Sequence, residues 1–196
     1  LIDISPYKHD GPGGSGPPPW VHTAPVADCY RCEFKYSDPE AGIKYAASVN
    51  GIVTGLKKRG QGPAAFIAET CPSVGGQIIF PEGYLQEVYR IVRQGGGVCI
   101  ADEVQTSYGR MGSSFYAYED QEVQPDIVVL GKPIGNGHPL AAVITTREIA
   151  DAFNTGMEFF STFGGNTVSA AAGRKVLEIV LRDRFMEHAE ETGSYL

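Results

Sequence analysis

Short apolar runs punctuate this chain, and several stop abruptly at a charged residue. Gly97-Val98-Cys99-Ile100-Ala101 stops at Asp102. Pro125-Asp126-Ile127-Val128-Val129-Leu130 stops at Gly131-Lys132, and Ala64-Ala65-Phe66-Ile67-Ala68 stops at Glu69. Runs this short and this uniformly apolar predict buried strands of a parallel sheet. Pro139-Leu140-Ala141-Ala142-Val143-Ile144 predicts a further strand.

Between the strands the period changes to that of helices. Tyr45, Val49, Ile52, Val53 and Leu56 form one stripe. Ser37-Asp38-Pro39-Glu40 predicts its start, Lys57, Lys58 and Arg59 its last turn, and Gly60 its end. Leu85, Val88, Tyr89 and Val92 predict a second helix, opened by Pro81-Glu82 and closed by Gln94-Gly95-Gly96. Phe115, Tyr116 and Tyr118 predict a short aromatic helix, and Glu148 to Phe153 a helical turn. Val168, Ala172, Val176, Ile179 and Val180 predict an alanine-rich helix, and the tail from Arg182 to Leu196 a polar one. Strand, helix and strand follow one another across residues 64 to 103, which is a βαβ unit and implies an α/β fold with a parallel sheet.

Residues 1 to 36 show no period. Gly11 to Pro19 is a loop by composition, and Trp20 is expected to anchor it to a core. The chain opens without methionine on Leu1-Ile2-Asp3-Ile4, so its start is not expected to be a natural terminus. At 196 residues it is long enough for one good core. Its net charge of −7 disfavours nonspecific binding to nucleic acid or anionic membrane. No apolar run approaches the length of a membrane span. Four cysteines in this length do not resemble a disulfide framework, so a reducing, cytoplasmic setting is expected.

Chemistry in an open α/β sheet gathers at the carboxyl ends of its strands. Lys132 and Asp102 each close an apolar strand. Either alone reads as a solvated surface group, where most lysines and aspartates lie. Together they suit a Schiff-base lysine and the carboxylate that keeps a pyridine ring protonated. Glu69 closes a third strand, as a pocket residue or a solvated strand end. Ser161-Thr162-Phe163-Gly164-Gly165-Asn166 leads into a helix, as an anion site or a simple capped turn. Cys29 and Cys32, with His22 upstream, are half of a zinc site or a redox pair. A metal needs four ligands, and no second such pair occurs, so no metal is expected.

These phrases resemble the class III aminotransferases, a subgroup of the fold-type I pyridoxal-phosphate enzymes. The matching residues are Asp102-Glu103-Val104-Gln105-Thr106, Tyr108-Gly109-Arg110-Met111-Gly112, Pro125-Asp126-Ile127, Gly131-Lys132 and Thr162-Phe163-Gly164-Gly165-Asn166. The resemblance implies a three-layer, doubly wound, mostly parallel sheet, with residues 1–196 forming the central part of the large domain. It implies pyridoxal 5'-phosphate as cofactor and a small primary amine as substrate, with amino-group transfer to a 2-oxo acid. Lys132 would be the Schiff-base lysine and proton carrier, and Asp102 the partner of the ring nitrogen. Val104 would pack on a ring face, and Gln105 would lie near the ring hydroxyl. Thr162 would reach the cofactor phosphate of a neighbouring subunit, making a homodimer. Glu69 matches a family glutamate near the substrate pocket.

Ile2 to Lys8, Pro72 to Ile79 and Gly131 to Pro139 resemble most the branch of ethanolamine-phosphate and phosphohydroxylysine phospho-lyases. Alanine–glyoxylate aminotransferases are near neighbours. Pro133 stands where most transaminases of the class have glycine, Cys29 and Cys32 depart from the branch pattern, and Thr167 stands where proline is common. Family members are about twice this length. The phosphate loop is therefore expected upstream of Leu1, and the small C-terminal domain beyond Leu196. Amino-phospho-lyase chemistry is the first alternative. A non-catalytic scaffold fragment is the second, and a zinc module at Cys29 and Cys32 the third.

Overall fold

The structure, a computed structural model, describes residues 2–196; Leu1, the first residue of the apolar opening, lies outside the described residues. A 3-10 turn at Ile2–Ile4 and a short α1 (Pro6–His9) lead into a long irregular stretch. Then come α2 (Ala41–Lys58), β1 (Ala65–Glu69), α3 (Tyr84–Gln94) and β2 (Val98–Asp102). They are followed by α4 (Ala117–Asp120), β3 (Ile127–Leu130), a 3-10 turn at Lys132–Gly135 and β4 (Ala142–Thr145). The chain closes on α5 (Arg147–Phe153), α6 (Thr167–Arg182) and α7 (Phe185–Tyr195). The sheet order is β1-β2-β3-β4, with the first two pairings parallel and β4 antiparallel to β3. The mostly parallel α/β sheet expected from the strand–helix–strand order is therefore present.

Register fixes which side chains share a face. Ala68, Ala101, Val128 and Ile144 line up across the four strands on one side. That side is covered over β2 and β3, where Ala101 and Val128 are buried, and open at Ile144 of β4. Tyr45, Val49 and Val53 of α2 and Leu85, Val88, Tyr89 and Val92 of α3 join Cys99 in the main core. Ala101, Val128 and Leu130 continue it toward Tyr118 and Ile134. Glu69, Asp102, Val129 and Val143 line up on the other side. There Ile100 and Val129 are half-buried and Val143 is 65% exposed. The strands are thus buried on one face and half-open on the other, because α2 and α3 pack on the same side.

Helix starts shift inward from the positions that the sequence pattern predicts. The Asp38 carboxylate accepts from the Glu40 amide at 3.0 Å, so Pro39 and Glu40 lie in a turn and α2 begins at Ala41. Gly83 is left-handed, with φ 77°, which breaks the helix between Pro81-Glu82 and Tyr84. Trp20 does not anchor the glycine–proline loop: it is 64% exposed, held outward by a turn in which the Val21 amide donates to the Pro18 carbonyl.

Two close approaches bring the C-terminal helices against the loops at the strand ends. Gly109 is left-handed, and a Cβ there would stand 2.7 Å from Met186 Cβ of α7. Gly173 of α6 faces Leu140 and lies 3.3 Å, measured from its would-be Cβ, from the Ile134 carbonyl. The second contact seats α6 on the turn that Lys132 opens.

Candidate active site

The carboxyl ends of β1, β2 and β3 gather five of the residues singled out above. Glu69 and Asp102 are register partners, so their side chains stand next to one another on the half-open face. Asp102 is also in register with Val129 of β3, which leads through Leu130 and Gly131 to Lys132. Lys132 Nζ donates to Gln105 Oε1 at 2.7 Å. Val104 packs on the backbone before the lysine, with its Cγ1 3.3 Å from where a Gly131 Cβ would be.

Local backbone chemistry sets these directions. The Asp102 carboxylate accepts from the Val104 amide at 3.0 Å, folding the chain back immediately after the strand. Lys132 has φ 37°, a left-handed conformation that costs a non-glycine residue roughly 1–3 kcal/mol and persists only where the surroundings impose it. The seat of α6 on Ile134 and Leu140 is such a constraint. Glu69 is turned toward the following loop, where its Oε2 accepts from the Ser73 amide and hydroxyl, both at 3.2 Å.

The electrostatics are those of a carboxylate under pressure. Burial pushes the Asp102 pKa up, the neighbouring Glu69 charge adds to this, and Lys132 pulls the other way. Lys132 itself is exposed in this chain, so the burial expected of a Schiff-base lysine is not supplied by the described residues.

Thr162 stands apart from this group. It lies on the exposed 161–166 loop, whose neighbouring Phe159, Phe160 and Phe163 are also exposed. The start of α6 is capped by its own Asn166, whose side-chain oxygen accepts from the Val168 and Ser169 amides at 3.0 and 3.1 Å. That is the capped-turn alternative for this loop. His138, just beyond the Lys132 turn, meets Ser169 Oγ at 2.8 Å and ties that turn to the first turn of α6.

Cys29 is buried and Cys32 exposed, both unpaired, on a turn where the Cys32 amide donates to the Asp28 carbonyl at 3.0 Å. Among the described residues no group of three or more His, Cys, Asp or Glu side chains is placed to hold a metal. Burial, reinforced by Asp28, pushes the Cys29 thiol up, which disfavours the thiolate that a metal or redox site needs.

Sequence pattern alone passed over Glu103. It is fully buried and ties together segments on both sides of the site. A glutamate after a strand-end aspartate reads as a solvated loop residue, so no local signal marks it.

A mostly parallel sheet with a lysine and an acid at neighbouring strand ends has its charged groups where open α/β sheets gather their chemistry. The profile of the class-III aminotransferase family matches residues 5–196, and the chain belongs to that family. It is 48% identical to an alanine–glyoxylate aminotransferase 2-like protein of Drosophila melanogaster, over the whole of this chain and 40% of the relative. It is 40% identical to ethanolamine-phosphate phospho-lyase homolog 1 of Caenorhabditis elegans, over the whole of this chain and 44% of the relative. Among solved structures it resembles a phospholyase from Arthrobacter in complex with phosphoethanolamine. The TM-score is 0.79 and the identity 35%, covering 94% of this chain and 42% of that one. The chain thus spans less than half the length of these relatives.

Proposed function

We propose that this chain is the central part of the large domain of a pyridoxal-phosphate-dependent class-III aminotransferase, which moves the amino group of a small primary amine to a 2-oxo acid. The observation that carries the reading is the placement of Lys132 Nζ on Gln105, beside Asp102 at the end of a neighbouring strand. The short length relative to its relatives supports the assignment to part of a larger domain. So does the half-open sheet face, because strands apolar on both sides are those of a sheet covered on both sides.

The residues present fit the cofactor. Asp102 is a carboxylate held above its ordinary pKa, and a cationic ring nitrogen against it would relieve that penalty. When bound, the cofactor supplies an aldehyde that condenses with amines and a ring that withdraws electrons from the substrate carbon. Lys132 Nζ is the amine that would hold that aldehyde, and the same amine would carry the proton at the substrate carbon. Asp102 would keep the ring nitrogen protonated. Gln105, which already holds Lys132 Nζ, would orient the ring oxygen side, and Val104 would fill the space against one ring face. Glu69 would line the substrate side. Thr162 would serve a partner subunit's site in a homodimer, and the exposed phenylalanines around it suit a subunit interface.

Amino-phospho-lyase chemistry is the second reading. It is favoured by Pro133 after the lysine and by the likeness to two phospho-lyases. The scaffold reading has less support, because Lys132, Gln105 and Asp102 stand in working proximity. Cysteine usage supports a reducing compartment, which we take to be the cytoplasm; among the described residues no helix is long and apolar enough to cross a membrane.

The test uses the full-length protein and O-phosphoethanolamine, with free phosphate and 2-oxo-acid-dependent amino transfer followed in parallel. Transfer without phosphate release establishes the aminotransferase. Phosphate release without any 2-oxo acid replaces it with the lyase. Lys132→Ala should abolish either activity, by about a thousandfold or more, together with the visible band that depends on the cofactor's covalent link to the lysine. Full activity in that variant would remove the lysine from the chemistry.

A further inference from the structure

Glu103 is a fully buried carboxylate with no cation among its hydrogen-bond partners. Burying a carboxylate is costly unless its oxygens are satisfied. Here four donors converge on it. Oε1 accepts from Thr70 Oγ1 at 2.8 Å and from the Tyr118 amide at 2.9 Å. Oε2 accepts from Thr106 Oγ1 at 2.5 Å and from the Ala117 amide at 3.0 Å. Its backbone is pinned as well, with the Glu103 amide donating to the Val129 carbonyl at 3.0 Å and the Ser107 amide donating to the Glu103 carbonyl at 3.1 Å.

The partners explain what the arrangement does. Thr70 directly follows Glu69, and Thr106 directly follows Gln105. Val129 is the register partner of Asp102 and lies three residues before Lys132. Ala117 and Tyr118 open α4, beneath the loop that leaves the site. One side chain therefore links the segments that carry Glu69, Asp102 and Gln105.

We propose that Glu103 is the positioning residue of this site: its carboxylate clamps the β1 loop, the β2 loop and the start of α4, and so fixes the spacing of Glu69, Asp102 and Gln105. The inference rests on the functional reading above for its catalytic meaning, but the clamp itself is a property of the apoprotein. Only a carboxylate satisfies this set. Each Glu103 oxygen faces one hydroxyl, which can turn to accept, and one backbone amide, which cannot. A glutamine in either orientation sets its NH₂ group against one of those amides and leaves it without an acceptor.

The test is Glu103→Gln in the full-length protein, read in two ways. Amide hydrogen exchange of the apoprotein at residues 70–73, 104–107 and 117–118 should quicken by about tenfold, reflecting one buried amide left unpaired. Cofactor affinity, titrated by visible absorption, should fall by a similar factor while the visible band shifts its pH midpoint. Thr70→Val removes one arm and leaves the carboxylate, so it should quicken exchange at 70–73 more than at 117–118. This second variant carries the test if Glu103→Gln does not fold. Unchanged exchange in a folded Glu103→Gln, or in Thr70→Val, overturns the clamp. If the wild type binds no cofactor, the functional reading fails, and the exchange measurement still decides the clamp.

Discussion

At the scale of the residue, Asp102 couples function to stability with opposite signs. Burial and Glu69 raise its pKa in the folded state, so the folded protein holds that proton more tightly than the unfolded chain. The associated stability is present in acid. It is lost as the pH climbs from the ordinary aspartate value through the raised one, because the folded state binds the extra proton in that interval. Above it, the apoprotein carries an unfavourable carboxylate. Asp102→Asn in the apoprotein should raise the melting temperature at neutral pH, and the gain should shrink toward about pH 3. Thermal melts across that range check this, and equal melting at pH 7 would show that the carboxylate carries no penalty. If Asp102 holds the ring nitrogen as proposed, the same substitution in the loaded enzyme should cost about a hundredfold or more in turnover, because that nitrogen would lose its counter-charge.

At the scale of the element, the ends of β1 and β2 and the start of α6 were legible, and the starts of α2 and α3 were not. Strands end where an apolar run meets a charge, and that boundary is written in the residues: β1 at Glu69, β2 at Asp102. Helix starts depend on turns that precede them. The Asp38 turn and the left-handed Gly83 each delay a helix, and proline plus an acid suits a turn as well as a first helical turn. The cap on α6 follows the ordinary rule, and Asn166→Ala should lower stability by about 1 kcal/mol, measured by denaturant unfolding. Gly109→Ala tests the docking of α7. A Cβ there meets Met186 in a left-handed backbone, and the cost should be about 2–4 kcal/mol. An unchanged unfolding midpoint would mean that α7 does not pack on this loop in solution.

At the scale of the whole molecule, the half-open sheet face and the exposed 153–163 segment both point outward from this chain. The homodimer reading makes a specific prediction. Thr162→Ala should weaken cofactor binding by about tenfold, from one lost hydrogen bond to a charged group. Lys132→Ala cannot hold the cofactor covalently. Mixed and reassociated, the two full-length variants should regain wild-type cofactor binding in about a quarter of the sites, because one site of each hybrid dimer receives both intact residues. No recovery in hybrids shown to form would place Thr162 in its own subunit's site or in none.

What the sequence determined by itself was local. It supplied the apolar runs, the charges that end them, the helical stripes and, through resemblance, the roles proposed for Lys132 and Asp102. Those features depend on neighbours a few residues away, so they can be read along the chain. The tertiary structure alone decided what depends on distant partners. It set Glu69 beside Asp102 through register and brought Lys132 onto Gln105 across two strands. It left one sheet face half-open, because α2 and α3 both cover the other. It also buried Glu103, to which the sequence reading assigned no role, among four donors from residues 70, 106, 117 and 118 that have no common pattern in the sequence.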